Sequence, residues 1–394
     1  MTLKRISSLL GLIIVTTQAF SAIEPSILTV PYGQFGGSIA VGQENTLLTW
    51  IDYRRTIDLS HEVFGTRVGP LADTLDGDGV PLTGLCDGGA VVAALRDQFL
   101  IVWSKGPNIY ARRMTSSGEL LDVRPITVSA NPGHPYPELI YRELTAAADG
   151  TTFWVAWNDD RSMPPGTPEY LRYDYEDIYA ARISPTGRVL DPRGIRISAR
   201  RGRQGAPRLS KRADFIVWSD YRGGKRSILG TRLHPKGLAL DAGGLPIMTS
   251  MDHSMTAADV SGNGRGWLVV WGDASGIYGA QIARKSSTVR RFPIAPGSER
   301  ATPQVDSSGE DYLVVWQSDA STIGRRVTAS KRLGPIVTLA TDPTGEAHFS
   351  LGDFASDGSR CWVTGTTAPK TATWLYNDLW FVSFTARALP PSGE

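Results

Sequence analysis

The densest collection of reactive side chains lies at residues 158–179, NDDRSMPPGTPEYLRYDYEDIY. It holds the carboxylates of Asp159, Asp160, Glu169, Asp174, Glu176 and Asp177, the guanidinium groups of Arg161 and Arg172, and the phenols of Tyr170, Tyr173 and Tyr175. Tyrosine and arginine are the side chains most enriched where surfaces bind. A phenol ring stacks on a sugar or peptide face, and a guanidinium forks onto carboxylates or hydroxyls. Upstream, the proline-rich NPGHPYPE (131–138) adds His134, Tyr136 and Glu138. These residues are the candidate ligand-binding set: Asp159, Asp160, Arg161, Tyr170, Arg172, Tyr173, Tyr175, His134, Tyr136 and Glu138. A second chemistry is open to the same groups. Sugar cleavage needs two carboxyls roughly 5–10 Å apart, and Asp159, Asp160 or Glu138 would supply them. The structural alternative is a solvated loop with incidental aromatics.

Familiar active-site patterns are missing. There is no GxSxG, no Walker A and no HExxH, since His61-Glu62 supplies only the first half. Asp73, Asp76 and Asp78 hint at calcium but lack the glycine and glutamate spacing of an EF-hand. Five scattered histidines offer no zinc cluster. The Asp-box of sialidases is absent. No catalytic residue, metal or cofactor is therefore expected.

What positions these groups is a repeat. An apolar run ending in tryptophan recurs as LLTW (47–50), LIVW (100–103), WVAW (154–157), FIVW (215–218), LVVW (268–271) and LVVW (313–316), with CWVTG (361–365) as a degenerate seventh copy. Each is preceded by a short strand signal such as SIAV (38–41) or AVVA (90–93). Each is followed by another: VFGTRV (63–68), IYARRM (109–114), IYAARI (178–183), ILGTRL (228–233), IYGAQI (277–282), TIGRRV (322–327) and LWFVSF (379–384). A Leu-Asp-x-x-Gly turn and a last short strand complete the best copies. Four short strands per unit with no helical period predict β-propeller blades. A strand roofed on both faces by neighbouring blades is apolar continuously rather than alternately.

The reading is thus an all-β, seven-bladed propeller of four-stranded antiparallel blades, spanning residues 22–394. Its units fall near 34–84, 85–131, 132–200, 201–250, 251–298, 299–345 and 346–394. Residues 26–32 resemble an outer strand and are expected to complete the last blade, closing the ring and covering two sheet edges. Unit three breaks the pattern. Ile178 follows Trp157 by 21 positions, where the same step is 6 in units two, five and six. Insertions in repeat folds gather on one face, and there the reactive residues sit.

Two columns recur with the repeat. An aspartate follows the tryptophan at Asp52, Asp159 or Asp160, Asp220, Asp273 and Asp319. An arginine recurs at Arg67, Arg113, Arg182, Arg232 and Arg326. A residue required in every unit is structural: the aspartate bonds the backbone two residues on, and the arginines are expected to meet carboxylates of neighbouring blades.

These units resemble a family of secreted bacterial β-propeller proteins whose repeats read approximately VVWxDxR, DIYGARV and GxxLDPxG. The likeness is strongest at residues 159–194 and 218–244. It implies the fold and export, and assigns no catalytic residue.

The chain's start agrees with export. Lys4 and Arg5 precede the apolar residues 6–15 (ISSLLGLIIV), and Ala19 and Ser21 place a cleavage site after residue 21. Without Lys4 and Arg5 the 41 basic residues fall to 39, equal to the 39 acidic ones. A neutral protein with no basic run is not built for nucleic acid. No later stretch approaches the ~20 apolar residues of a membrane helix. The product is expected to be secreted or periplasmic, monomeric, and partnered by a protein or glycan. Cys86 and Cys361, in units far apart, are read as two buried free thiols, although export permits a bridge. The functional expectation is a non-catalytic recognition propeller, the alternative a glycoside hydrolase or lyase with carboxylates at the propeller mouth.

Overall fold

The computed structural model describes residues 26–28, 34–54, 61–70, 73–131, 142–198, 202–250, 255–297, 301–318, 321–341, 347–369 and 378–385. The proposed leader, His134, Tyr136, Glu138 and Asp319 lie outside these residues.

Seven antiparallel sheets follow one another in chain order and form a seven-bladed β-propeller; six are built from consecutive strands, and the last from three consecutive strands and Ser26–Leu28. Blade one is Gln34–Val41, Thr46–Asp52, Glu62–Val68 and Val80–Pro81. Blade three is Leu144–Ala148, Phe153–Asp159, Asp177–Ile183 and Ile195–Arg196. Blade four is Gln204–Leu209, Phe215–Asp220, Arg226–His234 and Leu245–Ser250, with Leu238–Ala239 as an extra short pairing. Blade seven is Ala347–Ser356, Arg360–Pro369 and Asp378–Thr385, against which Ser26–Leu28 lies antiparallel, Ser26 opposite Phe381 and Leu28 opposite Leu379.

The continuous apolar runs are the second strands. All seven residues of Phe153–Asp159 are buried, as are all six of Phe215–Asp220. The core consists of inter-blade clusters, such as that of Leu100, Val102, Phe153, Val155 and Trp157 between blades two and three. The tryptophan also explains the recurring turn glycine. Gly79, Gly194 and Gly244 have φ of +87°, +73° and +82°, and a Cβ on Gly79 or Gly244 would lie 2.4 or 2.9 Å from the Trp50 or Trp218 ring. Only glycine takes that backbone without strain and leaves room for the indole.

The arginine column behaves differently from the expectation of pairing with neighbouring-blade carboxylates. Arg67, Arg113, Arg182 and Arg232 each hold the aspartate of the Leu-Asp turn of their own blade, Asp76, Asp122, Asp191 and Asp241. What crosses to the neighbour is the remaining nitrogen: Arg67 Nη1 donates to Ser116 O at 2.8 Å, Arg113 Nη1 to Pro185 O at 2.5 Å and Arg182 Nη1 to Pro235 O at 2.6 Å. The forked guanidinium thus joins its own hairpin to the turn of the next blade. Asp76, a calcium candidate in the sequence, is one of these arginine partners. Cys86 and Cys361 are both free and buried. Burial pushes the Cys361 thiol up to about 12 and raises that of Cys86 too, so neither is a ready nucleophile.

At the centre, the first strand of every blade is a sheet edge whose outward N–H groups need acceptors. Register sets Ser38, Val91, Thr145, Arg208, Asp259, Gln304 and Asp353 at one level, each opposite the residue before the tryptophan column. Several of these side chains accept from the next blade's edge. Thr145 Oγ1 takes Leu209 N–H at 3.3 Å, Asp259 Oδ2 takes Val305 N–H at 2.8 Å, and Asp353 Oδ2 takes Ile39 N–H at 2.9 Å and Ser38 Oγ–H at 3.0 Å. One layer on, Asp306 Oδ2 takes Ser356 N–H at 2.7 Å.

The N-terminal strand offers a test. A protein starting after residue 33 loses the Ser26–Leu28 ladder, worth of the order of 2–3 kcal/mol at about 1 kcal/mol per hydrogen bond. Its melting temperature should drop by roughly 3 °C or more. An unchanged melting curve would show that the strand contributes nothing.

Candidate functional site

Blade three's insertion folds as a 3-10 helix, Glu169–Tyr175, ahead of the third strand. Its proline-flanked start and short length leave two tyrosines and a leucine in water: Tyr170 is 77% exposed, Tyr173 40% and Leu171 37%. Tyr175 is half-buried. Arg172 turns inward and is buried, donating from Nη2 to Tyr173 Oη at 2.9 Å.

Behind this helix, guanidinium groups and phenol rings alternate across two blades. Arg172 Cζ lies 4.7 Å from the Tyr173 ring centroid, and Arg203 Cζ lies 4.9 Å from Tyr173 and 5.2 Å from Tyr221. Arg226 Cζ then lies 5.1 Å from Tyr221. The sequence Arg172–Tyr173–Arg203–Tyr221–Arg226 is a cation–π stack, each contact of the order of 0.5–2 kcal/mol. It holds the exposed Tyr173 ring between two guanidinium groups.

Beneath the stack is a buried polar cluster. Arg142 Nη2 donates to Asp160 Oδ1 at 2.8 Å, Asn158 Nδ2 to Glu176 Oε1 at 2.9 Å, and Arg203 Nε lies 3.3 Å from Glu176 Oε2. Glu143 Oε2 accepts Ala206 N–H across the blade boundary. Burial pushes the Glu176 carboxyl up to about 7; Arg203 opposes this, while the Glu143 and Asp160 charges add to it.

The residues singled out from sequence divide accordingly. Tyr170 and Tyr173 stand on the surface. Asp159 and Arg161 do not: they pair with each other under the blade's rim, Asp159 Oδ2 accepts Trp157 Nε1–H at 2.7 Å, and Arg161 lies 4.4 Å over Tyr179. Burial alone would raise the Asp159 carboxyl, but the Arg161 hydrogen bond and the Arg142 charge hold it below the usual range. Asp160 is equally buried against Arg142. Asp159 and Asp160 thus lie under the face as partners of arginines, while Arg161 stays part-exposed at its edge. The recurring aspartate does make the backbone bond expected of it, as Asp52 Oδ1 accepts Arg54 N–H at 2.8 Å and Asp159 Oδ1 accepts Arg161 N–H at 2.9 Å. Arg203, Tyr221 and Arg226 carry no distinguishing mark in the sequence; they come from the next unit, and only the blade boundary brings them here.

The central mouth gives a second constellation. Arg208 sits at the same level as Asp259 and Asp353, near enough to act on both charges. Burial pushes the Asp259 carboxyl up to about 6 against the Val305 N–H bond and the Arg208 charge. Asp353 is raised likewise, against bonds from Ile39 N–H, Phe354 N–H and Ser38. Every one of these acceptors fastens a strand, so the pair is structural. Among the described residues no group of three or more potential ligands could hold a metal, and no helix is long and apolar enough to cross a membrane.

No family model and no curated protein matches this chain. Solved structures share its architecture. A puromycin-hydrolyzing peptidase of Mycobacterium tuberculosis superposes with a TM-score of 0.54 at 10% identity, over 93% of this chain and 57% of that one. An oligogalacturonate lyase in complex with manganese gives 0.50 at 11% identity, over 93% and 100%. A prolyl endopeptidase gives 0.45 at 12%, over 89% and 50%. The chain spans about half the length of the peptidases it matches. At such identities the likeness is one of fold, and folds of this kind carry many functions.

Proposed function

We propose that this protein is an exported recognition propeller that binds a protein or glycan through the face shared by blades three and four. The observation that carries the reading is the cation–π stack from Arg172 to Arg226, which includes the exposed Tyr173, on the same short helix as the exposed Tyr170 and Leu171. Leaving three large side chains exposed on one short helix has no folding benefit; a pre-ordered aromatic surface lowers the entropic cost of binding. Export rests on the leader-like residues 1–21 and on the resemblance to secreted propeller repeats.

A glycan array with residues 22–394, followed by titration of the best ligand, tests it. Tyr170→Ala with Tyr173→Ala should weaken binding by about a hundredfold, as central aromatic contacts are commonly worth 1–2 kcal/mol or more each. Tyr173 also carries two cation–π contacts, so the double variant should melt a few degrees lower, while Tyr170→Ala alone, at the most exposed ring, should barely move the melting temperature. Undiminished affinity would place the ligand elsewhere.

A second reading, a carbohydrate-active hydrolase or lyase, draws on Glu176. A carboxyl titrating near 7 with Asp160 and Glu143 beside it has the properties of a general acid. Against this, Glu176 is 6% exposed and roofed by the helix. Turnover of any array ligand, lost in Glu176→Gln, would favour the enzyme.

A further inference from the structure

Three blades carry Asp-x-Arg after the tryptophan, and two of them show what the arginine is for. In blade one, Arg54 Nη2 holds Asp52 Oδ2 at 2.6 Å, the carboxylate that also accepts Trp50 Nε1–H at 2.9 Å. The same Nη2 donates to Asp78 O at 3.0 Å, and the guanidinium lies 4.3 Å over the Phe64 ring. Blade three repeats this with Arg161 on Asp159, Nη1 on Arg193 O at 2.9 Å, and the guanidinium over Tyr179. Asp78 and Arg193 each precede the glycine that seats the tryptophan. The slot is therefore a guanidinium site made of a carboxylate, a turn carbonyl and an aromatic wall.

Blade four has the same frame without the same filling. Leu229 stands opposite Trp218, where Phe64 and Tyr179 stand opposite Trp50 and Trp157. With no ring to lie on, Arg222 takes Asp220 Oδ1 through Nε at 2.6 Å and runs its methylenes over Gly202, where even a Cβ would lie 2.6 Å from Arg222 Cγ. An open cleft of about 300 Å³ remains, lined by Gln204, Trp218, Asp220, Leu229 and Gly243 and by Arg222 itself. Trp218 and Asp220 are both buried, and Trp218 Nε1 and Asp220 Oδ2 have no hydrogen-bond partner among the described residues. In blades one and three the equivalent pair is bonded.

We propose that the blade-four cleft binds a guanidinium group brought by another molecule, the arginine side chain of a partner polypeptide. Asp220 Oδ2, covered until Arg222 gives way, supplies the carboxylate acceptor, the Gly243 carbonyl matches those of Asp78 and Arg193, and Trp218 and Leu229 form the walls. A neutral urea of the same shape cannot make a charge-assisted bond to the carboxylate, which an arriving guanidinium shares with Arg222. This goes beyond the blade-three reading and stands without it, since neither exposed tyrosine lines the cleft.

Isothermal titration of residues 22–394 with N-acetyl-arginine amide and with N-acetyl-citrulline amide tests the claim. The arginine compound should bind saturably and at least about tenfold more tightly than citrulline, the difference expected of one charge-assisted contact. Asp220→Asn should cost a similar factor. Arg222→Ala, which removes the competing internal cation, should tighten binding several-fold. Leu229→Tyr, which restores the ring of blades one and three, should draw Arg222 inward and abolish binding while the protein stays folded by its melting curve. The pentapeptide AARAA should outbind free L-arginine; the reverse order would overturn a polypeptide partner. Equal binding of citrulline, or no arginine binding up to roughly 10 mM (a range reaching the weakest specific affinities), would overturn the site itself.

Discussion

Glu176→Gln should make the protein more stable at pH 8 and leave it nearly unchanged at pH 5. Burial beside Glu143 and Asp160 raises this carboxyl from an ordinary 4.5 to about 7. Between those values the native state keeps a proton that the unfolded chain releases, so the wild type loses stability as the pH climbs through 7. The penalty above pH 7 is of the order of 3 kcal/mol, because each tenfold change in proton affinity is worth about 1.4 kcal/mol. Glutamine cannot ionise, yet it keeps an acceptor for Asn158 Nδ2. The variant should therefore melt a few degrees above the wild type at pH 8, with the gap closing on acidification. Melting curves at pH 5, 6, 7 and 8 decide it. A constant gap would mean that Glu176 is not the titrating group.

Asp353→Ala should be the most damaging single change at the centre. It removes the acceptor for Ile39 N–H, Ser38 Oγ–H and Phe354 N–H together, at the seam between the last blade and the first. Stranding buried donors costs about 1–3 kcal/mol each when nothing replaces the partner, and partial relaxation brings the total to about 3–4 kcal/mol. Asp353→Asn retains an acceptor oxygen and should cost about 1 kcal/mol. Urea denaturation of both variants is the measurement; equal stabilities would show that the contact is incidental.

Much of this architecture was legible from single segments. The tryptophan-ended runs are apolar throughout because both their faces are covered, and that local pattern identified the second strand of every blade. The turn glycines and aspartates could be read as turns, although their roles, seating an indole and gripping an arginine, required coordinates. The site was legible only in half. Tyr170 and Tyr173 stand out because an insertion interrupts the period. Arg203, Tyr221 and Arg226 sit in an ordinary stretch of the following unit, and no spacing links them to the tyrosines. Asp159, Asp160 and Arg161 drew notice by their charge, yet charge clustered at a strand end is as readily consumed internally. The central level was invisible for a different reason. Its seven residues are of six types, and bulges at Phe35/Ser38, Gly205/Arg208 and Leu351/Asp353 shift three of them out of simple alternation.

The backbone N–H fastenings at the hub, from Leu209, Val305, Ser356 and Ile39, point one way, with the accepting side chain on one blade and the donating N–H on the blade that follows. Such head-to-tail contacts depend on who is next to whom, and are indifferent to where translation starts or stops. Joining the ends and opening the polypeptide between two other blades would keep every fastening, whereas excising one whole unit would set an acceptor against a neighbour it was never matched to. Circular permutants should thus be tolerated and single-blade deletions should not.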